Sequence, residues 1–599
     1  MAQLRVGLAQ IDPTVGDLTG NADAVLRWTR DAAAAGCHLV AFPEMVLTGY
    51  PAEDLVLRRS FVTAAARLVP TVARRLLDEG LGDIAVVVGY VAHAANPTPR
   101  LGRPAGEPQN AAALLYRGEV VATYAKHHLP NYGVFDEFRY FVPGDALPVI
   151  RLHGVDIAMC ICEDLWQDGG PTHVAGTAGV DLIVCINGSP YERGKHANRV
   201  ALVQRRAAEA RSVLAYVNMV GGQDELVFDG GSVVVSPAGT VLARAPQFDE
   251  TLLVCDLDLA ALGAGVSGPV DAADGTRMSV ALVEVSDEAL QGWDALPGPL
   301  APLTPDTAEV YGALVLGTRD YVRKNGFRSG VLGLSGGIDS ALVATIAADA
   351  IGAEHVYGVG MPSRYSSDHS LGDARDLAER QGIAFAVVPI EPMVATYLST
   401  LQESGGLHGL AAENLQARVR GTTLMALSNE HGHLVLTTGN KSELACGYST
   451  LYGDSAGGYA PIKDVPKTLV WELSRWRNAL AVERGETPPI PEHSITKPPS
   501  AELRDGQLDT DSLPEYDVLD RLLDDYIERD LGRAELIAAG HDAALVERVI
   551  RLVDLAEYKR RQYPPGPKIS LKAFGRDRRL PITNRWREAA AESAHVGDV

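Results

Sequence analysis

The chain has 599 residues, of which 46% are hydrophobic and 22% charged, and it carries a formal net charge of −22. That length accommodates two to four domains with substantial cores, and the acidic balance argues against general nucleic-acid binding or attachment to an anionic membrane. No apolar run approaches the roughly 20 residues needed to span a bilayer. The N-terminal Met-Ala-Gln-Leu-Arg-Val-Gly-Leu enters a strand pattern directly, without the charged and apolar regions of a signal peptide. Cysteines at 37, 160, 162, 185, 255 and 446 are scattered, several inside apolar strands, which predicts reduced thiols in a cytoplasmic protein and not a disulfide frame.

In chain order, strands are predicted over 4–11, 38–43, 84–91, 155–162, 181–187 and 213–219, and helices over about 20–35, 52–78 and 195–211. Hairpins are predicted at Ala111–Ala125, turning at Arg117-Gly118-Glu119, and at Ser232–Arg244, turning at Pro237-Ala238-Gly239. Hairpins that follow βαβ units predict mixed sheets layered with helices.

Three of these strands end in chemistry: Phe42-Pro43-Glu44, Tyr124-Ala125-Lys126 and Cys160-Ile161-Cys162-Glu163. A thiol must lose its proton to attack an amide, a nearby carboxylate can take that proton, and an ammonium can stabilise the oxyanion that forms. Parity does not choose between Cys160 and Cys162, because both lie on the same side of one strand. Jointly the motifs, over roughly residues 3–258, resemble the nitrilase, or carbon–nitrogen hydrolase, superfamily with its Glu-Lys-Cys triad. The resemblance implies Glu44 as base, Lys126 on the oxyanion side and Cys162, which directly precedes an acidic residue, as nucleophile. The segment Asn187-Gly188-Ser189-Pro-Tyr-Glu-Arg-Gly-Lys195 is similar to the glutaminase branch, where Tyr132, Ser189 and Lys195 would contact glutamine. Glu137 is read either as a second carboxylate near the triad or as a salt-bridge partner.

Residues 261–305, rich in Gly and Pro, are predicted to form a connector lying over a surface, which separates an N-terminal domain at 1–260 from a C-terminal one at 306–599. Asp306-Thr307 caps a helix predicted to run to about Asn325. Strands at 330–334, 355–360, 385–390 and 433–437 then alternate with helical patterns, the mark of a doubly wound parallel sheet with ligands at the strands' carboxyl ends. Residues 500–535 are predicted to be a mobile segment or a helical insertion.

Between the strand at 330–334 and a helix beginning at Ser340 lies Gly333-Leu334-Ser335-Gly336-Gly337-Ile338-Asp339-Ser340. Adjacent glycines allow a sharp turn that aims successive N–H groups into one concavity at a helix N-terminus, where anions are favoured. The serines add hydroxyl donors, and Asp339 adds a hard oxygen ligand for Mg²⁺. The loop resembles that of the ATP pyrophosphatases, which activate a carboxylate or carbonyl as an adenylate. Further segments, Met361–Ser367, Ala412–Gly421, Leu436–Glu443 and the basic stretches Tyr558–Pro565 and Phe574–Ile582, extend the likeness to NAD synthetases over about 306–590. Helical spacing places Asn414 and Arg418 on one face. A phosphate-rich substrate would account for the basic C-terminal stretches.

The resemblance implies ATP contacts at 333–340, Thr438, Lys467 and Ser500, and deamido-NAD contacts at Asn414, Glu443 and Lys559. Asp339 and Glu443 would share Mg²⁺. The implied fold is α/β: an α-β-β-α nitrilase-like sandwich, followed by a doubly wound parallel sheet of the ATP pyrophosphatase type, like the adenine nucleotide alpha hydrolases. The implied activity is amidation of ATP-activated deamido-NAD with ammonia taken from glutamine. An ammonia tunnel and assembly into homo-oligomers are family traits that come with the resemblance. Another ATP-pyrophosphatase amidotransferase is the rival reading, and Glu413–Arg418 and Gly439–Glu443 argue against it.

Overall fold

The computed structural model describes residues 2–586 apart from 95–106, 262, 264, 276 and 287–289. Parts of the predicted connector and the last residues of the predicted C-terminal domain therefore lie outside the described residues. The chain divides into two compact units, Met1–Gln223 with Val227–Pro305, and Asp224–Leu226 with Asp306–Val599.

Two sheets form the first unit. In spatial order one contains Thr251–Leu259, Ala2–Gln10, Leu39–Ala41, Ala85–His93, Pro108–Tyr116 and Glu119–Ala125. The other contains Val241–Arg244, Val233–Val235, Val213–Asn218, Leu182–Asn187, Val155–Ile161, Ala146–Leu152, Arg277–Glu284 and Gly268–Asp271. Alternation along the strands assigns each face. Leu4, Val6, Leu8, Ala85 and Val87 share one core with Ile157, Ile183 and Val217 of the second sheet. The intervening Val86 and Val88 instead pack with Val25 and Leu26 of helix Leu18–Ala34 and with Val69 and Val72 of helix Arg59–Asp78. Because side chains alternate with a period of two, a slip of one residue would exchange these faces, so the register is strongly specified. Helix Lys195–Ala210 lays Leu202 and Val203 on the second sheet, which completes the α-β-β-α layering.

The second unit holds a parallel sheet in the order Ala384–Val387, Val356–Gly360, Gly330–Gly333, Leu434–Val435. Helix Ile338–Ile351 is buried on nearly every side, as its almost unbroken apolar sequence requires. Helices Tyr516–Leu523 and Ala543–Leu555 build a separate apolar cluster through Leu519, Leu522, Val546 and Val549.

The structure departs from the sequence reading in identifiable places. The stretch predicted as a connector contains a hairpin, Gly268–Asp271 with Arg277–Glu284, whose second strand pairs in parallel with Ala146–Leu152 and extends the second sheet. Its alternating buried and exposed residues are short enough to be hidden among the surrounding Gly and Pro. Farther on, the same stretch follows the surface of its own unit, with Trp293 N donating to Gln3 Oε1 (2.7 Å) and Arg244 N to Pro299 O (2.8 Å). The helix expected over 52–78 is a short 3-10 turn, Glu53–Leu57, and then a separate helix from Arg59. The segment 500–535 includes helix Tyr516–Leu523, which continues through a wider turn over Asp524–Glu528. No helix among the described residues is long and apolar enough to cross a membrane.

Candidate active sites

Glu44 lies just beyond strand Leu39–Ala41, Lys126 directly follows strand Glu119–Ala125, and Cys162 directly follows strand Val155–Ile161. Strand Ala85–His93 makes room for the first of these with Gly89, where a Cβ would come within 2.2 Å of Met45 N. The three side chains are buried together. Lys126 Nζ donates to Glu44 Oε1 at 2.8 Å and to Glu137 Oε1 at 2.9 Å, and the side chains of Lys126 and Glu44 are both fully buried. Asn110 Nδ2 (2.6 Å) and Gly188 N (2.8 Å) hold the Glu44 carboxylate, while Tyr50 OH donates to Glu137 Oε1 (3.0 Å). Burial alone would discharge Lys126, but Glu137 and Glu44 outweigh it and raise its pKa well above the ordinary lysine value.

Cys162 occupies the left-handed region, φ 44°, at the corner between its strand and helix Glu163–Trp166. A non-glycine residue held there is strained, a feature concentrated at functional sites. Burial, with Glu44 adding to it and Lys126 opposing, raises the Cys162 thiol well above its usual range. At rest it is therefore a thiol, and attack requires a base. Cys160, two residues earlier, is wholly buried in the apolar core.

Asp164 ties the pieces together. Its buried carboxylate accepts from Tyr124 OH (2.6 Å), His128 N (2.9 Å), Ile161 N (3.0 Å) and His127 N (3.2 Å). It thereby locks the chain just after Lys126 to the chain just before Cys162. Neither Asp164 nor Asn110 is singled out by the sequence reading. The acidic pair after Cys162 was the available signal for Asp164, whereas nothing local marks Asn110. Glu137 proves to be a partner of Lys126, so the two readings offered for it describe one position.

Around this cluster, Tyr132 is half-exposed and donates through its hydroxyl to Glu163 Oε2 (2.8 Å). Ser189 is buried, its N–H donating to Asn218 Oδ1 (2.9 Å). Lys195 opens helix Lys195–Ala210, lies 3.4 Å from Glu192 and has its ammonium 5.9 Å from the Trp166 ring centre.

In the second unit a cavity of about 700 Å³ opens at the carboxyl ends of the parallel strands, within the size range of ligand pockets. It is lined by Gly333, Leu334, Ser335, Gly337, Ile338, Asp339 and Ser340, and also by Thr438, Lys467, Ser500, Asn414, Glu443 and Lys559. Gly336 turns the loop at φ 77°, where a Cβ would meet Ser370 O at 2.3 Å. Within the loop, Ser340 Oγ donates to Gly337 O (3.0 Å) and Gly337 N donates to Ser335 Oγ (3.2 Å). Arg418 shares the wall with Asn414, as the helical spacing predicts.

Asp339 is paired with Lys467, and the same ammonium lies 3.7 Å from Glu443. Asn440 Nδ2 donates to Asp339 Oδ1 (3.0 Å), and Asn440 also caps the helix that presents Glu443. Burial, reinforced by Asp339, drives the Glu443 carboxyl well above its usual range. Lys467 rises to about 12, because Asp339 and Glu443 overcome its burial. Asp509, which the sequence reading passed over, also lines this region. Lys559 donates to Gly447 O (2.7 Å) and Ser449 O (2.6 Å), Ser500 Oγ donates to Gln507 O (2.5 Å), and Asn414 Oδ1 accepts from Thr450 Oγ1 (2.8 Å).

Two expectations need correction. The segment Leu436–Glu443 does not present all its polar residues to the cavity: Lys441 turns into a buried ion pair with Asp464 (3.0 Å) and Glu528 (2.7 Å). Much of the charge in the C-terminal basic stretches is likewise engaged within the protein: Arg560 and Arg561 with Glu557, and Arg578 beside Asp554. Only Tyr558 and Lys559 of those stretches line the cavity. Charge in sequence is visible, but the partners that neutralise it come from distant segments.

The two units and their sites define the class. The carbon-nitrogen hydrolase family profile matches residues 5–265 and the NAD synthase profile matches residues 310–563. The glutamine-dependent NAD(+) synthetase of Acinetobacter baylyi is 43% identical over 589 residues, covering 98% of this chain and 99% of its own length. That of Thermotoga maritima is 44% identical over 593 residues, with 98% and 100% covered. Among solved structures, the glutamine-dependent NAD+ synthetase of Acinetobacter baumannii in complex with adenosine diphosphate aligns with a TM-score of 0.70 at 40% identity, covering 98% of this chain and 99% of that one. The chain belongs to the glutamine-dependent NAD(+) synthetases.

Proposed function

We propose that the first site releases ammonia from glutamine and the second uses it to amidate ATP-activated deamido-NAD(+), giving NAD(+), AMP, pyrophosphate and glutamate. The observation that carries this reading is the buried Glu44–Lys126 pair, whose charges both act on the Cys162 thiol. Cys162 Sγ attacks the glutamine carboxamide carbon as Glu44 takes the thiol proton, and Lys126 stabilises the oxyanion. Glu44 passes the proton to the departing nitrogen, ammonia leaves and a thioester remains. Water, deprotonated by the same carboxylate, then releases glutamate and restores the thiol. Tyr132, Ser189 and Lys195 would position glutamine.

At the second site the nicotinate carboxylate attacks the α-phosphorus of ATP and expels pyrophosphate. Ammonia then adds to the activated carbonyl and expels AMP. The loop 333–340 would cradle phosphates, with Thr438, Lys467 and Ser500 completing ATP binding, while Asn414, Glu443 and Lys559 would meet deamido-NAD(+). Mg²⁺ fits this site: Asp339 and Glu443 are hard oxygen donors that both line the cavity at the glycine-rich loop. Those two residues would hold the ion, which when bound would offset charge on the ATP phosphates. Assembly into a homo-oligomer and a cytoplasmic location complete the reading; the six cysteines are unpaired and buried, in keeping with a reducing compartment.

The reading is tested by supplying glutamine labelled at its amide nitrogen. The label should appear in the NAD(+) carboxamide, with one glutamate, one AMP and one pyrophosphate formed per NAD(+). Release of ADP and phosphate instead would overturn it.

A pH dependence follows from Glu137, which burial pushes up to about 7 against the pull of Lys126. Below that pH Glu137 is neutral and Glu44 alone counters Lys126; above it both carboxylates hold the ammonium in place. Glutamine kcat/KM should therefore rise with pH through about 7, and Glu137→Gln should remove that step. A wild-type profile that is flat through neutrality counts against the assignment.

A further inference from the structure

Beside Lys126 the chain continues as His127-His128, neither of which the mechanism uses. Asp274, in the turn of the hairpin Gly268–Asp271 and Arg277–Glu284, comes up to them. Ligand atoms of His127, His128 and Asp274 all lie within 4.8 Å of one another. We propose that these three residues form a binding site for a divalent first-row transition ion of the Zn²⁺ class.

The nitrogens are arranged for this. His127 Nδ1 lies 2.7 Å from Gly144 O. A carbonyl only accepts, so Nδ1 carries the proton and Nε2 is left with its lone pair. The His128 ring, only one-tenth exposed, places Nε2 at a long 3.4 Å from Asp274 Oδ2. Its Nδ1 is buried with no hydrogen-bond partner, 3.8 Å from Asp164 Oδ1. A neutral imidazole has one N–H and one lone pair, so without an ion one of these nitrogens is poorly used. An ion on Nε2 fixes the proton on Nδ1, the nitrogen on the Asp164 side of the ring, and so gives both nitrogens a defined role.

The surroundings are shaped to fit. At Gly170 (φ 62°) a Cβ would stand 2.3 Å from His128 Cε1, and at Gly169 (φ 80°) it would stand 2.7 Å from Asp274 N. Any side chain there would push the ring or the turn away. Two imidazoles with one carboxylate suit Zn²⁺ and its neighbours, whereas Mg²⁺ and Ca²⁺ prefer oxygen alone. Asp274 is exposed, which provides a route for the ion. The ion would pin the chain after Lys126 to the hairpin turn and, through Asp164, to the strand end before Cys162.

The test uses full-length protein stripped with a chelator, carrying Cys162→Ser to remove the reactive thiol and held in excess Mg²⁺ to occupy the carboxylates of the second site. Zn²⁺ is titrated against a chromophoric chelator, and Co²⁺ is added separately as a visible probe. One equivalent of Zn²⁺ should bind per chain. Asp274→Ala and His128→Gln should each weaken binding by about tenfold or more, at least the loss seen when a residue that merely orients a ligand is changed, and should erase the Co²⁺ absorption. Asp274→Ala should leave ammonium-dependent NAD(+) formation unchanged, which shows that the variant is folded. Failure of the stripped protein to take up added Zn²⁺, or equal Zn²⁺ affinity after Asp274→Ala, overturns the proposal.

Discussion

Replacing Cys162 by alanine should abolish NAD(+) formation from glutamine while leaving formation from added ammonium largely intact. Loss of a covalent nucleophile should lower the glutamine-dependent rate by about 10³-fold or more. Cys160 is not placed to take over, because it lies wholly inside the apolar core, and the charges of Glu44 and Lys126 act on Cys162 instead. The substitution is small and removes an off-region backbone residue's side chain without touching the Lys126–Glu44 pair, so the fold should survive. Steady-state rates with each nitrogen source, in the same preparation, separate the possibilities. Loss of both activities would show that the two sites are not separable as described; survival of the glutamine reaction would show that Cys162 is not the nucleophile.

The reciprocal result is expected of Asp339→Ala: synthesis from either nitrogen source falls by about 10²-fold or more, the scale of losing one preorganised charge contact in a phosphoryl or acyl transfer site, while glutamine hydrolysis persists. Asp339 opens helix Ile338–Ile351 and is held by Asn440 and Lys467. Its removal leaves Lys467 facing Glu443 without the carboxylate that anchored it. Lys467 is thus a positioning residue for the acidic pair as well as a candidate ATP contact. Measuring glutamate release alongside NAD(+) formation checks this prediction, and undiminished ammonium-dependent synthesis would refute it.

These two variants probe the sites most legible in the sequence. The loop Gly333–Ser340 announces itself because the phosphate contacts proposed for it come from backbone in a run of adjacent residues. Glu44, Lys126 and Cys162 are each ambiguous alone, but each lies at or just beyond the end of an apolar strand, two in the first sheet and one in the second, and the packing of the two sheets brings them together. What the sequence does not display depends on partners distant along the chain. Lys441 and Glu528 are 87 residues apart in the chain, and Lys467 and Asp339 are 128. A lysine heading for a buried ion pair reads the same as one heading for a phosphate. The same holds for Arg560, whose role is settled by Glu557 and the carbonyls of Ala445 and Val553. The hairpin within 261–305 was obscured because its second strand is stabilised by pairing with Ala146–Leu152, more than a hundred residues earlier.

The sequence by itself determined the division into two α/β units and the alternation that orients their sheets, and it marked the candidate site residues, since periodicity and local motifs are properties of neighbouring positions. Only the tertiary structure decided which charges are available and which are consumed: that Glu137 joins Glu44 on Lys126, that Asp164 clamps the two strand ends, and that Lys467 stands between Asp339 and Glu443. The reason is physical. A buried charge is tolerated only beside a compensating one, and the compensating group is brought there by folding.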